Sequence, residues 1–322
     1  MPPRLIRAVE GYARMLRAEL RSPLRFRQPA LVLRGFNSDR RWLYPDFPSC
    51  SGGYISDAKW YGSIKHANPP DASQLFEDKL QFAHTMSRSG LEEHLPSLLA
   101  IVSNGGAQHR DAGTGGPVVR KPNRGKASQG VAFFDRLDDA IATCPEIGEY
   151  LIQEQVVAHR SLRAIFPDST NALRVLTHRR SADQSARIVR VVQRISTSKS
   201  APFETLGTGG VAAQVDAAGR MSSAVLKPTS SQRVVLRDHP DTGMRIEGRS
   251  VPYIREACSL ALHAMNVIPT ARVVAWDIAV TDNGPILLEG NASWPNLAIF
   301  QAFGPLATEI APDHMLGSWD AP

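Results

Sequence analysis

The stretch from Ala271 to Asn296, ARVVAWDIAVTDNGPILLEGNASWPN, constrains the fold of this chain more than any other. It reads as two strands, Arg272 to Val280 and Pro285 to Gly290, joined by a Thr-Asp-Asn-Gly turn whose Asn-Gly pair is a strong hairpin signal. Because strand side chains alternate between faces, Asp277 shares a face with the small Ala275 and Ala279, while Val274, Trp276, Ile278 and Val280 make the opposite face apolar. On the second strand the same alternation places Glu289 on a face with Leu287 and, if the strand continues, with Asn291. Two carboxylates and a carboxamide then converge from adjacent strands, a set that suits a hard cation such as Mg²⁺ held together with the phosphates of a nucleotide. Taken singly, each is more often a solvated or capping group than a ligand. Together they carry more weight, since Asp277 interrupts an apolar strand and Glu289 follows Ile286, Leu287 and Leu288, where an unpaired charge is costly.

Composition narrows the class. At 322 residues with a hydrophobic fraction of 43%, the chain can bury one large core or two to three small lobes. The net charge of +6 suits a protein that handles anions, but arginine is dispersed and no Lys/Arg block with interleaved aromatics points to nucleic acid. Cys50, Cys144 and Cys258 are odd in number and far apart, forming neither a disulfide framework nor a CxxC metal site, so a reducing, cytoplasmic location is expected. No run of about 18 apolar residues spans a bilayer, and the start lacks the apolar core of a secretory signal. The histidines are scattered without HExxH, and neither GxSxG nor the Walker GxxxxGK[ST] occurs.

In chain order, residues Arg4 to Leu20 place Leu5, Val9, Tyr12, Leu16 and Leu20 at helical spacing with Arg4, Arg7, Arg14, Arg17 and Arg21 elsewhere on the wheel. Such a basic amphipathic helix can lie on an anionic membrane surface, but packing on its own domain is the commoner arrangement. Gln28 to Pro70, rich in Pro, Gly, Ser and aromatics, predicts irregular structure with few helices. Asp71 to Ser89 predicts one helix, capped by Asp71 or Ser73. A short strand around Leu98 to Val102 follows, and then NGGAQHRDAGTGG, which reads as a flexible link between an N-terminal region and the part that handles a nucleotide.

Beyond the link, a strand ending at Lys121-Pro122 leads into a Gly/Ser/Lys loop, a second strand Val131 to Phe134, and a helix opening at Asp135. A lysine at a strand end before a small-residue loop can clamp phosphates, although an ordinary hairpin loop has the same composition. GEYLIQEQVVA, Gly148 to Ala158, reads as a buried strand leaving through Glu154 to Val157, a connector able to offer backbone groups to an adenine edge. Two strand-like segments, Asn171 to Arg179 and Ala186 to Thr197, each set an arginine, Arg174 and Arg194, among aliphatic residues. Each is either functional or a structural ion-pair partner. Gly209 to Arg220 reads as a further hairpin, Pro252 to Met265 as a helix with Pro near its start, and Asn296 to Phe303 as a final helix.

KPNRGKASQGV, EYLIQEQVV, NALRVLT, VVQRIS, GGVAAQVD, HPDTG and WDIAVTDNGPILLEGNASWPNL occur together and in order. In this the chain resembles the ATP-grasp superfamily, specifically its sugar-transfer-associated family, over about Lys121 to Gln301, with a weaker echo at Asp78-Lys79. The resemblance implies an α+β ATP-grasp fold: two lobes clasping ATP between antiparallel sheets, after an irregular N-terminal region. Its divisions would be residues 1–110, a nucleotide-clamping small lobe 111–160, and a large lobe 161–322 with the metal and phosphoryl-transfer site. By the resemblance Lys121 contacts phosphates, the loop Gly125 to Gly130 with Ser128 covers them, and Glu154, Gln155, Val156 and Val157 form the adenine-side connector. Arg174 and Arg194 face the transferred phosphoryl group, and Asp277, Glu289 and Asn291 hold Mg²⁺. The loop fills its middle with Lys126, Ala127, Ser128 and Gln129 where the family is richer in glycine. Glu204-Thr205-Leu206 stands where Asp-Asn often precedes the GG.

The function expected is an ATP- and Mg²⁺-dependent ligase that forms an acyl phosphate and couples a carboxylate to an amine, in modifying a cell-surface glycan or peptide. Phosphoryl transfer is largely an electrostatic problem, which positioned cations address. The rivals are a phosphotransferase on the same fold, a non-catalytic nucleotide or anion binder, and a basic nucleic-acid protein.

Overall fold

The computed structural model describes residues 4–47, 49, 51–103, 106–109, 115–125, 129–182, 184–293 and 295–310. The chain opens with helices: α1 (Arg4–Leu20), two short turns α2 (Pro29–Leu33) and α3 (Arg40–Leu43), and α4 (Asp57–Ala67), which packs along α1. The Pro/Gly-rich text thus hides an 11-residue helix, α4, whose N-cap Ser56 accepts from the Lys59 N–H. The single helix expected over Asp71 to Ser89 is instead two, α5 (Pro70–Glu77) and α6 (Lys79–Met86). Asp78 separates them. Its extended backbone ends α5, and its carboxylate caps α6 by accepting from the Gln81 N–H.

The first sheet contains β1 (Leu98–Ser103), β2 (Gly106–His109), β3 (Val118–Pro122), β4 (Ala132–Phe134) and β5 (Glu149–Glu154), ordered β2-β1-β5-β3-β4, every pairing antiparallel. Its described part corrects the expectation of a flexible link, because Gly106–His109 pairs with β1. The small sheet starts at Leu98, and a division at residue 110 would cut off its first two strands. Helix α7 (Leu137–Ala142) covers it, with Ala140 buried among Leu99, Val102, Val118 and Ile152. A short turn, α8 (Arg160–Arg163), follows the connector from β5.

The second sheet has seven strands: β6 (Leu173–His178), β7 (Arg187–Ile195), β8 (Val211–Val215), β9 (Met221–Leu226), β10 (Val235–Leu236), β11 (Val273–Thr281) and β12 (Gly284–Asn291), ordered β10-β9-β8-β7-β6-β11-β12. All its pairings are antiparallel. The two-lobed α+β expectation holds. On one face Leu173, Val175, Trp276, Ile278 and Leu287 pack against α9 (Ile254–Val267) and against Phe82 and Met86 of α6. On the other, Leu176, Val192, Val273 and Ala275 pack against Phe36, Leu43, Ile64 and against Leu297 and Phe300 of α10 (Leu297–Gln301). The N-terminal region up to Ala67 therefore lies on this second face of the large sheet. Asn68 fastens it there, its Nδ2 donating to the Val273 and Ala292 carbonyls and its Oδ1 accepting from the Arg272 and Val273 N–H groups.

The hairpin forms with Thr281 opposite Gly284 across an Asp282-Asn283 loop. Its register departs from simple alternation: Asp277 pairs with Glu289, but Ile278 pairs with Leu287, so Leu288 is an extra, bulged residue. The expectation that Glu289 and Leu287 share a face is thereby corrected. Leu287 enters the core with Trp276, while Glu289 turns to the face of Asp277. Without the bulge, either a charge would enter the core or a leucine the site.

Candidate functional site

Four neighbouring strands of the large sheet build the site. Arg174 on β6 lies opposite Asp277 on β11, and Asp277 opposite Glu289 on β12, so the three share one row across the sheet. Asn291 lies two residues further along β12, opposite Ala275, whose small side chain leaves it room. Arg194, two residues beyond the partner of Arg174 on β7, joins the row from its other end. Beneath the hairpin, Phe76 of α5 packs edge-on to Trp276 at 5.6 Å between centroids. It also lies against Gly290, where a Cβ would come within 2.5 Å of the ring. Glycine between Glu289 and Asn291 is thus a packing requirement.

The charges in this row are interlocked. Arg174 donates from Nε to Asp277 Oδ1 and from Nη2 to Oδ2, both at 2.7 Å, a bidentate fork. Arg194 Nη2 lies 3.2 Å from the same Oδ2 and 3.8 Å from Glu204 Oε2. Glu204 is held in turn by the Ser169 hydroxyl, which donates to Oε1 at 2.7 Å. Asn291 Nδ2 donates to Glu289 Oε1 at 3.2 Å and reaches Asp277 Oδ2 at 3.4 Å. Burial acts to raise the Asp277 carboxyl, but Arg174 and Arg194 outweigh it and bring it down to about 2. Glu289 goes the other way: burial and the neighbouring Asp277 push its carboxyl above the usual range, against the pull of Arg174 and Lys121.

Two lysines complete the cluster. Lys121, at the end of β3, is drawn below the usual lysine range by burial, opposed by Glu289 and Asp277 and reinforced by Lys79. Lys79 opens α6, and burial lowers it too against the pull of Glu289 and Asp78. Its Nζ reaches the carbonyls of Asn123 and Gly125 at 3.4 and 3.3 Å, which ties the helix to the loop after β3. Asn123 strengthens that tie, accepting from the Leu80 N–H at 2.9 Å and donating to Glu149 Oε2 at 2.6 Å. Gly125 and Gly130 both lie on the ring of Pro122, and Gly130 has a φ of +74°, a left-handed conformation suited to glycine. Ser128 lies outside the described residues.

Of the remaining expected positions, Glu154 ends β5, its N–H donating to the Ser97 carbonyl, and the Gln155 N–H donates to the Pro117 carbonyl. Val156 and Val157 continue to Ala158, which enters the large-lobe core. The segment is therefore the strap between lobes. The structure brings together Lys121, Arg174, Arg194, Asp277, Glu289 and Asn291, and adds Lys79, Asn123 and Glu204. Lys79 was visible only as an echo beside Asp78. A lysine immediately after a helix cap is its one sequence signal.

The donor set fits a hard divalent cation. Glu289, pushed up by burial and Asp277, marks a place short of positive charge. Asn291 now offers its amide nitrogen, and a half-turn of the amide offers oxygen instead. Among the described residues no group of three or more His, Cys, Asp or Glu could hold a metal ion. Arg194 Nε is buried without a hydrogen-bond partner among the described residues, a donor left over for an anion.

The family model described as "Sugar-transfer associated ATP-grasp" matches residues 141–307. No curated protein matches the chain. Among solved structures it is similar to N5-carboxyaminoimidazole ribonucleotide synthetase from Thermotoga maritima, at 15% identity over 70% of this chain and 44% of that one, with a TM-score of 0.40. It is also similar to L-amino acid ligase from Bacillus licheniformis, at 10% identity over 76% and 48%, TM-score 0.46. A third likeness is VanG D-Ala:D-Ser ligase from Enterococcus faecalis, at 15% identity over 68% and 53%, TM-score 0.41. The chain spans about half the length of each.

Proposed function

The chain belongs to the sugar-transfer associated ATP-grasp family, and from that premise we propose that it is an ATP- and Mg²⁺-dependent ligase joining a carboxylate to an amine through an acyl phosphate, in the cytoplasmic modification of a cell-surface glycan or peptide. The observation that carries this reading is the row Arg174, Asp277 and Glu289, which Arg194 reaches from β7 through its side chain, with Lys79 and Lys121 electrostatically coupled to its acidic end.

In this reading Lys121 and Lys79 take the phosphates of ATP, and the loop they border covers them. Asp277, Glu289 and Asn291 would hold Mg²⁺, which when bound neutralises the charge on the phosphate oxygens. Arg174 is fixed by its fork to Asp277 and orients that carboxylate. Arg194, braced between Asp277 and Glu204 with Nε to spare, meets the anionic substrate. A carboxylate oxygen attacks the γ-phosphorus and ADP leaves. The amine nitrogen then attacks the acyl carbon and phosphate leaves, the nitrogen losing a proton. The negative charge that develops in both steps falls beside the same arginines.

Hydroxylamine tests this chemistry, because it traps acyl phosphates as hydroxamates. With ATP, Mg²⁺ and a panel of candidate carboxylates, hydroxamate should form together with ADP and be lost in Arg194→Ala. A stable phosphorylated product without hydroxamate would assign the protein to phosphotransfer instead.

A further inference from the structure

We propose that the outward face of α1, with Phe26 and Leu33 beside it, docks this protein on an anionic membrane surface. The inward face of α1 is accounted for: Arg7, Gly11, Met15 and Glu19 are buried against the N-terminal region. The outward face is apolar. Leu5 is 75% exposed and Val9 61%, with Ile6 and Leu20 also exposed, along a helix about 25 Å long. Single exposed aliphatics are ordinary, but a continuous ridge of them is an interaction surface.

Two further residues, Phe26 in the turn after α1 and Leu33 at the end of α2, widen that ridge, and hydrogen bonds hold both to α1. The Tyr12 hydroxyl donates to the Val32 carbonyl at 3.0 Å and to the Leu33 carbonyl, which places Leu33, 80% exposed, beside the helix. Phe26 donates its N–H to Glu19 Oε1 at 2.7 Å and leaves its ring exposed. The surface is therefore preformed rather than awaiting a fold.

The charge around the ridge selects its occupant. Arg17, Arg21, Arg25 and Arg27 are all exposed around the C-terminal end of α1, and their stems can lie along an apolar surface while the guanidinium groups reach outward. Arg34, the residue after Leu33, continues this positive rim into a cavity of about 650 Å³ that Arg41 and Arg233 also line. A second copy of the chain would bring the same arginines against one another. Lipid acyl chains edged by phosphate headgroups match both the ridge and its rim.

Vesicle sedimentation of the full chain tests the assignment without ATP or any substrate, so its outcome is independent of the chemistry proposed above. Phosphatidylcholine vesicles containing phosphatidylglycerol should carry the protein down, and pure phosphatidylcholine should not. Raising salt toward 1 M, where the screening length falls to about 3 Å, should weaken the binding. Val9→Asp with Leu33→Asp, and separately Arg17→Glu with Arg21→Glu, should each lower the partition coefficient at least about tenfold, with melting temperatures close to the parent's. No binding to the anionic vesicles, equal binding to both kinds, or binding unchanged in the variants would overturn it. So would a dimer in sedimentation velocity that Val9→Asp dissociates, since the occupant would then be a second copy.

Discussion

Asp277 and Glu289 face each other across β11 and β12, yet their carboxyls are driven in opposite directions. Burial opposes ionisation of both. For Asp277 the arginine pair prevails, whereas for Glu289 the charge of Asp277 adds to the burial. The row is thus balanced at its arginine end and short of positive charge at its β12 end, where the proposed Mg²⁺ would sit.

Glu289→Gln should stabilise the metal-free protein at neutral pH while abolishing Mg²⁺-dependent ATP turnover. A carboxyl whose folded pKa lies above its unfolded value, near 4.5, contributes fully below that value and loses its contribution as pH rises through the folded pKa. Thermal unfolding at pH 4 and pH 7 checks this: the variant should match the parent at the lower pH and exceed it at the higher. Equal melting at both would mean that ionised Glu289 costs the fold nothing.

Asp277→Asn should act in the other direction. It leaves the Arg174 fork and the Arg194 contact without a negative partner, and breaking a buried pair from one side costs about 3–5 kcal/mol. The contribution of Asp277 is present above its unfolded value of 3.8 and is lost as pH falls toward about 2. Urea unfolding should show a large deficit at pH 7 that shrinks across that window. A deficit under about 1 kcal/mol would place the pair with exposed ion pairs.

Lys121→Ala should weaken ATP binding by about 1.5–3 kcal/mol, the scale of hydrogen bonds to charged groups. Lys79→Ala should weaken it as well, because the same substitution releases the Asn123 and Gly125 carbonyls and loosens the loop after β3. Groups that share one ligand and one loop are coupled, so the double variant should fall short of the sum. Calorimetry decides it. Strict additivity would mean that the two lysines act at separate places.

Asn68→Ala should cost about 1–3 kcal/mol, the penalty for leaving buried backbone groups unpaired, since one side chain serves four of them at the start of β11 and beyond β12. Denaturant titration reads it directly. A change within about 0.5 kcal/mol, as for an ordinary surface position, would show that the N-terminal region is only loosely laid on the sheet.

The acidic hairpin was legible in the sequence because alternation and a turn signal are local properties, and Asp277 breaks an apolar strand conspicuously. The bulge at Leu288 was not, since no Gly or Pro marks it and only the pairing with Asp277 forces it. Lys79 was hidden for a related reason: its neighbours spell a helix, and the break at Asp78 appears only when that carboxylate turns back to cap α6. The β1–β2 hairpin was masked by glycine-rich text that resembles a linker, and α4 by the Pro and Gly residues on either side of it. The bulge is set by pairing with another strand, whereas the Asp78 cap and the β1–β2 turn are local and are hidden by the composition around them.

Titration calorimetry of ATP with and without Mg²⁺ reads out whether Asp277, Glu289 and Asn291 form a Mg²⁺-nucleotide site. In the parent, Mg²⁺ should tighten ATP binding at least about tenfold, a difference of about 1.4 kcal/mol. In Glu289→Gln, which should remain folded and more stable, that dependence should vanish. Equal affinity with and without Mg²⁺ in the parent, or an undiminished Mg²⁺ effect in the variant, would mean that these three residues hold no Mg²⁺ beside ATP.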